Sequence, residues 1–363
     1  MNTKPVFHGS DIEKICEYYN LKKEDIINFG ANVNPLGLSE KVQKTLASHL
    51  NVLSSYPDRD YTSLRSVIAG YCGIPADFIL PGNGSSELIS LLIEVCAPRH
   101  TLILGPTYSE YSRELSFSGS TQDYYHLREE QDFILDTEDL CRALGSGAYD
   151  LLILCNPNNP TSTAILRGDM EQLLTFCASR DIFVMIDETY MEFAPDISVV
   201  TAVPFTSKFD NLCVLRGVSK FFAAPGLRLG YAVTGNHALL KKMKDKQIPW
   251  SLNSIGAFAG ELLFQDEEYI CATRELILSE RDRMYAALKE MSAFKVYAPY
   301  ANFLLLKIIK KEKTAFDVFE NCIKNGLMIR DCSSFQCLDG EFVRFCIMMP
   351  EDNSRLLKVL EAL

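Results

Sequence analysis

Short apolar runs alternate with segments of helical spacing along most of the chain. Thr101–Leu104, Leu151–Cys155, Ile182–Ile186, Leu212–Leu215 and Leu229–Val233 read as buried strands. Leu88, Leu91, Leu92 and Val95 recur at three and four residues, as do Met170, Leu173, Leu174 and Cys177, so each set forms one face of a helix. Strands alternating with helices imply an α/β fold, with a mostly parallel sheet covered by helices on both faces. That region, the large domain, runs from residue 39 to 265. From Asp266 the pattern changes. A long Glu- and Arg-rich helical stretch precedes two strand candidates, Phe294–Ala298 and Phe303–Lys307. A helix near Ala315–Asn325, a strand near Phe342–Met348 and a terminal helix near Glu351–Leu363 follow. Residues 266–363 therefore read as a small α+β domain. Residues 1–38 are too few for a domain and are expected to pack on it as an arm.

Composition narrows the function classes. The 363 residues are 47% hydrophobic and carry a formal net charge of −11. A chain of this length accommodates two domains and a sizeable core. Its negative field repels nucleic acid and anionic membranes, so an anionic ligand needs a local cationic pocket. The 12 cysteines are scattered, with no C-x-x-C pair, and many lie in apolar runs, as Cys96, Cys155, Cys213 and Cys346 do. They read as small buried hydrophobes, with neither a disulfide framework nor a metal site. The N-terminal stretch MNTKPVFHGSDIEK has no apolar core of a signal peptide. No apolar stretch approaches the roughly 20 residues of a membrane span. A cytoplasmic protein is expected.

Five segments carry chemistry. Ser219-Lys220-Phe-Phe-Ala-Ala-Pro-Gly-Leu-Arg228-Leu-Gly230 follows a strand. A lysine alone is ordinarily a solvated charge. Among apolar residues and near a fixed cation its protonated form is disfavoured, which suits imine chemistry with an aldehyde. Ser219 and Arg228 are then donors for a phosphate beside it. Phe183-Val-Met-Ile-Asp187-Glu-Thr-Tyr190 brings an aspartate to a strand's carboxyl end, where open α/β sheets bind ligands. Asp187 reads either as a helix cap or as the partner of a pyridinium nitrogen, and Glu188 as structural. Cys155-Asn156-Pro-Asn158-Asn159-Pro160-Thr161 is a turn whose amides can donate to a phenolic oxygen. Pro81-Gly-Asn83-Gly84-Ser85-Ser86-Glu87 opens a helix, either as a plain cap or as an anion cup. Tyr108, after Thr101–Leu104, is a core residue or a stacking face for a flat ring. Taken in order, all five sit at the ends of parallel strands.

In these motifs the chain resembles the fold-type-I pyridoxal-phosphate aminotransferases along nearly its whole length. The resemblance implies pyridoxal 5'-phosphate as cofactor and Lys220 as its covalent anchor. It implies that Asp187 pairs with the ring nitrogen and that Asn159 and Tyr190 contact the phenolic oxygen. Ser85, Ser86, Ser219 and Arg228 would hold the phosphate, and Tyr108 would stack on the ring. Tyr56, in Ser-Tyr-Pro-Asp, resembles a tyrosine that reaches the phosphate of the neighbouring subunit, which implies a homodimer with shared active sites. The family usually has glycine after Asn-Pro-Thr, where this chain has Ser162, a departure that bears on the local turn.

Two subfamilies are similar, the histidinol-phosphate aminotransferases and the threonine-phosphate decarboxylases of cobalamin biosynthesis. Phe7-His8-Gly9-Ser10, Asn28-Phe-Gly-Ala-Asn32-Val-Asn34-Pro-Leu-Gly37 and Ile248-Pro-Trp250-Ser-Leu-Asn253 resemble the second. A phosphorylated amino acid is the implied substrate. His8, Gly9, Asn32, Asn159, Arg330 and Arg344 are its candidate contacts, with Lys220, Asp187 and Tyr190 the candidate catalytic residues.

Overall fold

A computed structural model describes Phe7, residues 11–310 and residues 312–363. Its strands, in chain order, are β1 (Ile27–Asn28), β2 (Ile79–Gly82), β3 (His100–Gly105), β4 (Thr121–His126), β5 (Leu151–Cys155), β6 (Phe183–Asp187) and β7 (Leu212–Gly217). Then come β8 (Gly230–Val233), β9 (Phe294–Val296), β10 (Phe303–Ile308), β11 (Leu327–Met328), β12 (Arg330–Asp331) and β13 (Phe342–Cys346). Seven of them form one sheet in the order β2-β8-β7-β6-β5-β3-β4. Only β8 runs against its neighbours β2 and β7. Strands β2 to β7 thus all point the same way, and the loops after them open on one edge.

Alternation of side chains along the strands gives the sheet two apolar faces. Ile103, Leu151, Ile153, Met185, Cys213 and Leu215 pack against Leu88, Leu91 and Leu92 of the helix Gly84–Cys96. Leu102, Leu104, Leu152, Leu154, Val184 and Val214 face the other way, in one cluster with Met170, Leu173, Leu174 and Cys177 of the helix Arg167–Ala178. Both helices are those the spacing predicts. The edge strand β4 escapes the sequence pattern, because Thr-Gln-Asp-Tyr-Tyr-His has no fully buried position.

The long helical stretch is Glu267–Lys289, and it leads into a four-stranded sheet of order β12-β13-β10-β9. In this sheet Arg330 and Arg344 are direct cross-strand partners. The N-terminal segment threads between the two sheets. β1 pairs in parallel with β11, Phe29 O accepts from Cys346 N at 2.8 Å, and Asn34 N donates to Lys220 O at 3.0 Å. Among the described residues no helix is long and apolar enough to cross a membrane, and no three His, Cys, Asp or Glu cluster as a metal site.

Candidate active site

The strand ends meet in a cavity of about 330 Å³. Its wall includes Ser85 and Ser86 after β2, Tyr108 after β3, Asn159 after β5, Asp187 and Tyr190 at the end of β6, and Ser219, Lys220 and Arg228 after β7. Gly30, Ala31, Asn32 and Val33 close one side, and Arg330, Ser334, Phe335 and Arg344 another.

Lys220 and Asp187 are held in opposite electrostatic senses. Lys220 Nζ donates to Ala31 O at 2.7 Å. Burial, and then the positive charge of Arg344, pull its ammonium down from 10.5 to about 8, while Asp187 acts the other way. Only about one such amine in ten is neutral near pH 7, but that is far more than for an ordinary lysine. Burial pushes the Asp187 carboxyl up from its ordinary value. Three donors oppose this by stabilising the carboxylate: Tyr111 OH to Oδ2 at 2.8 Å, and Thr189 N at 2.9 Å and Oγ1 at 2.6 Å to Oδ1. The arrangement suits an anion that must stay ionised out of water.

The anion cup is built by close approach. Gly84 opens the helix at φ +80°, and a Cβ there would lie 2.6 Å from the Arg228 guanidinium. A Cβ on Gly230 would meet the backbone N of Ser85 at the same distance. Only glycine lets the loop, the arginine and the helix N-terminus converge, leaving Ser85 and Ser86 beside a cation.

Across the cavity, Arg344 donates NH1 to Asn159 Oδ1 and NH2 to Gly30 O (2.7 Å), with its guanidinium 5.2 Å from the Phe303 ring centroid. Arg330 donates NH2 to Ser334 Oγ at 2.6 Å and lies over the Phe335 ring. Both side chains are buried, and neither pairs with a carboxylate among the described residues. Arg344 Nε, Arg330 NH1 and Asn32 Oδ1 have no partner among the described residues. Burial pulls the Arg330 guanidinium below its usual value. Asn32 Nδ2 lies 3.4 Å from Tyr190 OH, which burial keeps protonated.

Twelve of the residues singled out from sequence thus share one cavity: Asn32, Ser85, Ser86, Tyr108, Asn159, Asp187, Tyr190, Ser219, Lys220, Arg228, Arg330 and Arg344. Tyr56 is elsewhere. It is 80% exposed, its ring lies tilted with its centroid 4.8 Å from that of Trp250, and it lines a separate surface hollow. His8 and Gly9 lie outside the described residues. Sequence reasoning missed Tyr111, Thr189, Ser334 and Phe335. Two signals were available. A tyrosine on an apolar helix face needs a partner for its hydroxyl, and Asp-x-Thr forms a local side-chain turn. Glu188, read as structural, is fully buried against Arg216 at 2.8 Å, and neither residue lines the cavity.

The model of the aminotransferase class I and II family matches residues 24–360. The chain belongs to that family. Among its relatives is the threonine-phosphate decarboxylase of Salmonella typhimurium, 34% identical over 97% of this chain and 95% of the other. The crystal structure of a histidinol-phosphate aminotransferase from Clostridium acetobutylicum superposes with a TM-score of 0.86 at 30% identity, covering 92% of this chain and 98% of that one. A histidinol-phosphate aminotransferase from Sinorhizobium meliloti, solved in complex with pyridoxal-5'-phosphate, has the same fold. Its TM-score is 0.84 at 18% identity, over 99% of this chain and 96% of that one. Class I and II aminotransferases depend on pyridoxal 5'-phosphate. The cavity fits that cofactor, with a partly neutral amine, a buried carboxylate held by three donors, and a glycine-lined cup under an arginine.

Proposed function

We propose that this family member decarboxylates O-phospho-L-threonine to (R)-1-aminopropan-2-ol O-2-phosphate, a reaction of cobalamin biosynthesis. The observation that carries the reading is the Arg330–Arg344 pair. Two buried guanidinium groups on paired strands, each without a carboxylate ion pair and each with an unused N–H among the described residues, call for a dianion. A substrate phosphate satisfies them, and the similarity to threonine-phosphate decarboxylases supports threonine as its carrier.

In this reading Lys220 anchors the cofactor and Asp187 pairs with its ring nitrogen. Asn159 and Tyr190 contact the phenolic oxygen, Tyr108 stacks on the ring, and Ser85, Ser86, Ser219 and Arg228 hold the phosphate. When bound, pyridoxal 5'-phosphate supplies a protonated heteroaromatic ring that accepts electrons from the bond breaking at the substrate α-carbon. The chain decides which bond breaks. Arg330, Arg344, Asn32 and His8 would grip the substrate phosphate, with Gly9 a further candidate contact, and so would present the α-carboxylate, rather than the α-hydrogen, for cleavage. Tyr111 and Thr189 keep Asp187 ionised, so that it can hold the proton on the ring nitrogen. The Lys220 amine, or water, would return a proton to the α-carbon.

We further read residues 1–38 as an arm, 39–265 as the large domain and 266–363 as the small one, in a cytoplasmic homodimer. Tyr56, exposed on one protomer, would then reach the cofactor phosphate of the other. The test is direct. Incubated with O-phospho-L-threonine, the holoenzyme should release CO₂ and form no keto acid. Amino exchange between histidinol phosphate and 2-oxoglutarate, without CO₂ release, would replace this reading with an aminotransferase. Serine phosphate lacks one methyl, worth roughly 1–3 kcal/mol in a pocket, and should be the poorer substrate.

A further inference from the structure

Ser162 occupies a position that an L-residue rarely takes. Its φ is +62°, in the left-handed region that favours glycine, and the residue is fully buried. The side chain of the residue is not idle there. Ser162 Oγ accepts from Ala301 N at 3.0 Å, while Ser162 O accepts from Tyr300 N at 2.7 Å. The backbone N of Ser162 donates to Asn158 O at 2.7 Å, which closes the turn that presents Asn159.

These bonds join two walls of the cavity. Asn159, three residues before Ser162, receives Arg344 NH1. Asn302, directly after Ala301, donates Nδ2 to Asn32 O at 3.1 Å and accepts at its own O from Ile347 N at 2.8 Å. Phe303 follows, and Arg344 lies over its ring. A circuit therefore runs from the loop after β5, through Ser162, to the start of β10, then to Asn32 and back through Arg344. A glycine would adopt the same backbone at lower conformational cost but would leave Ala301 N–H without the hydroxyl.

We propose that Ser162 is a positioning residue whose hydroxyl sets the spacing between Asn159 and the Asn32–Arg344 side of the cavity, and thereby the affinity for the phosphorylated substrate. The choice of substrate rests on the reading above; the clamp itself does not. The test compares Ser162→Gly with Ser162→Ala as holoenzymes. Gly loses the hydroxyl but relieves the left-handed backbone, whereas Ala loses the hydroxyl and keeps the strain. Thermal stability should therefore fall in Ala more than in Gly. KM for O-phospho-L-threonine should nevertheless rise by about five-fold in both, with kcat and the cofactor absorbance little changed. An unchanged KM in Gly, or a KM that tracks stability, overturns the proposal. If the wild type neither binds nor turns over O-phospho-L-threonine, the substrate reading falls. Amide exchange at Ala301 then decides the clamp: exchange no faster in Ser162→Gly than in wild type overturns it.

Discussion

The amine of Lys220 offers the sharpest test of how this cavity prepares its chemistry. Its ammonium is pulled from 10.5 to about 8, first by burial and then by the charge of Arg344. At pH 7 about one amine in ten is then neutral, against about one in 3,000 for an ordinary lysine, an advantage of about 300-fold in the form that attacks an aldehyde. The assay is recombination of the cofactor-free protein with pyridoxal 5'-phosphate, followed by visible absorbance or by borohydride trapping. The rate should climb with pH and level off above a midpoint near 8. Lys220→Ala should abolish it. In Arg344→Met the repelling charge is gone, so the midpoint should move upward. Stability should follow the same group. Because the folded value is depressed, the cost of burying the ammonium is full below about 8 and vanishes above 10.5. The difference corresponds to about 3 kcal/mol, so the cofactor-free protein should gain stability as pH rises through that window. A recombination rate still climbing steeply toward pH 10, with no change in Arg344→Met, would refute the reasoning.

Two other perturbations test the groups behind the cavity. Tyr111→Phe removes one of three donors to Asp187, and a hydrogen bond to a charged group is worth about 1.5–3 kcal/mol. The Asp187 carboxyl should rise further, moving the acid limb of the kcat–pH profile up by about 1–2 pH; an unmoved limb would show that Tyr111 does not tune it. Glu188→Gln removes the carboxylate that pairs with buried Arg216, which should cost about 3–5 kcal/mol in chemical unfolding, while a loss under 1 kcal/mol would contradict the buried-pair assignment.

Much of this molecule was legible one residue at a time. The unbroken apolar run Leu151–Cys155 and the three- and four-residue spacing of Leu88, Leu91 and Leu92 are local signals, so the strands, the covering helices and the α/β class could be read directly. The polar groups at the strand ends, Asp187 and Lys220 above all, were also visible, because each is carried by an apolar run that must be buried. The strand β4 was not visible, since an edge strand with partly exposed side chains has no burial pattern to leave in the sequence.

Tertiary structure alone decided the rest. Arg330 and Arg344 are 14 positions apart in the chain, and the antiparallel register of β12 and β13 makes them neighbours. Tyr111 finds Asp187 from 76 residues away, and Arg344 finds Asn159 from 185. Ser162, a departure from the family's glycine, holds a glycine-like backbone because Ala301 supplies a partner for its hydroxyl. Local pattern determines which segments are buried and how each is shaped. Which polar groups then meet depends on how strands from distant parts of the chain come into register, and those contacts set the charge of Lys220 and of Asp187.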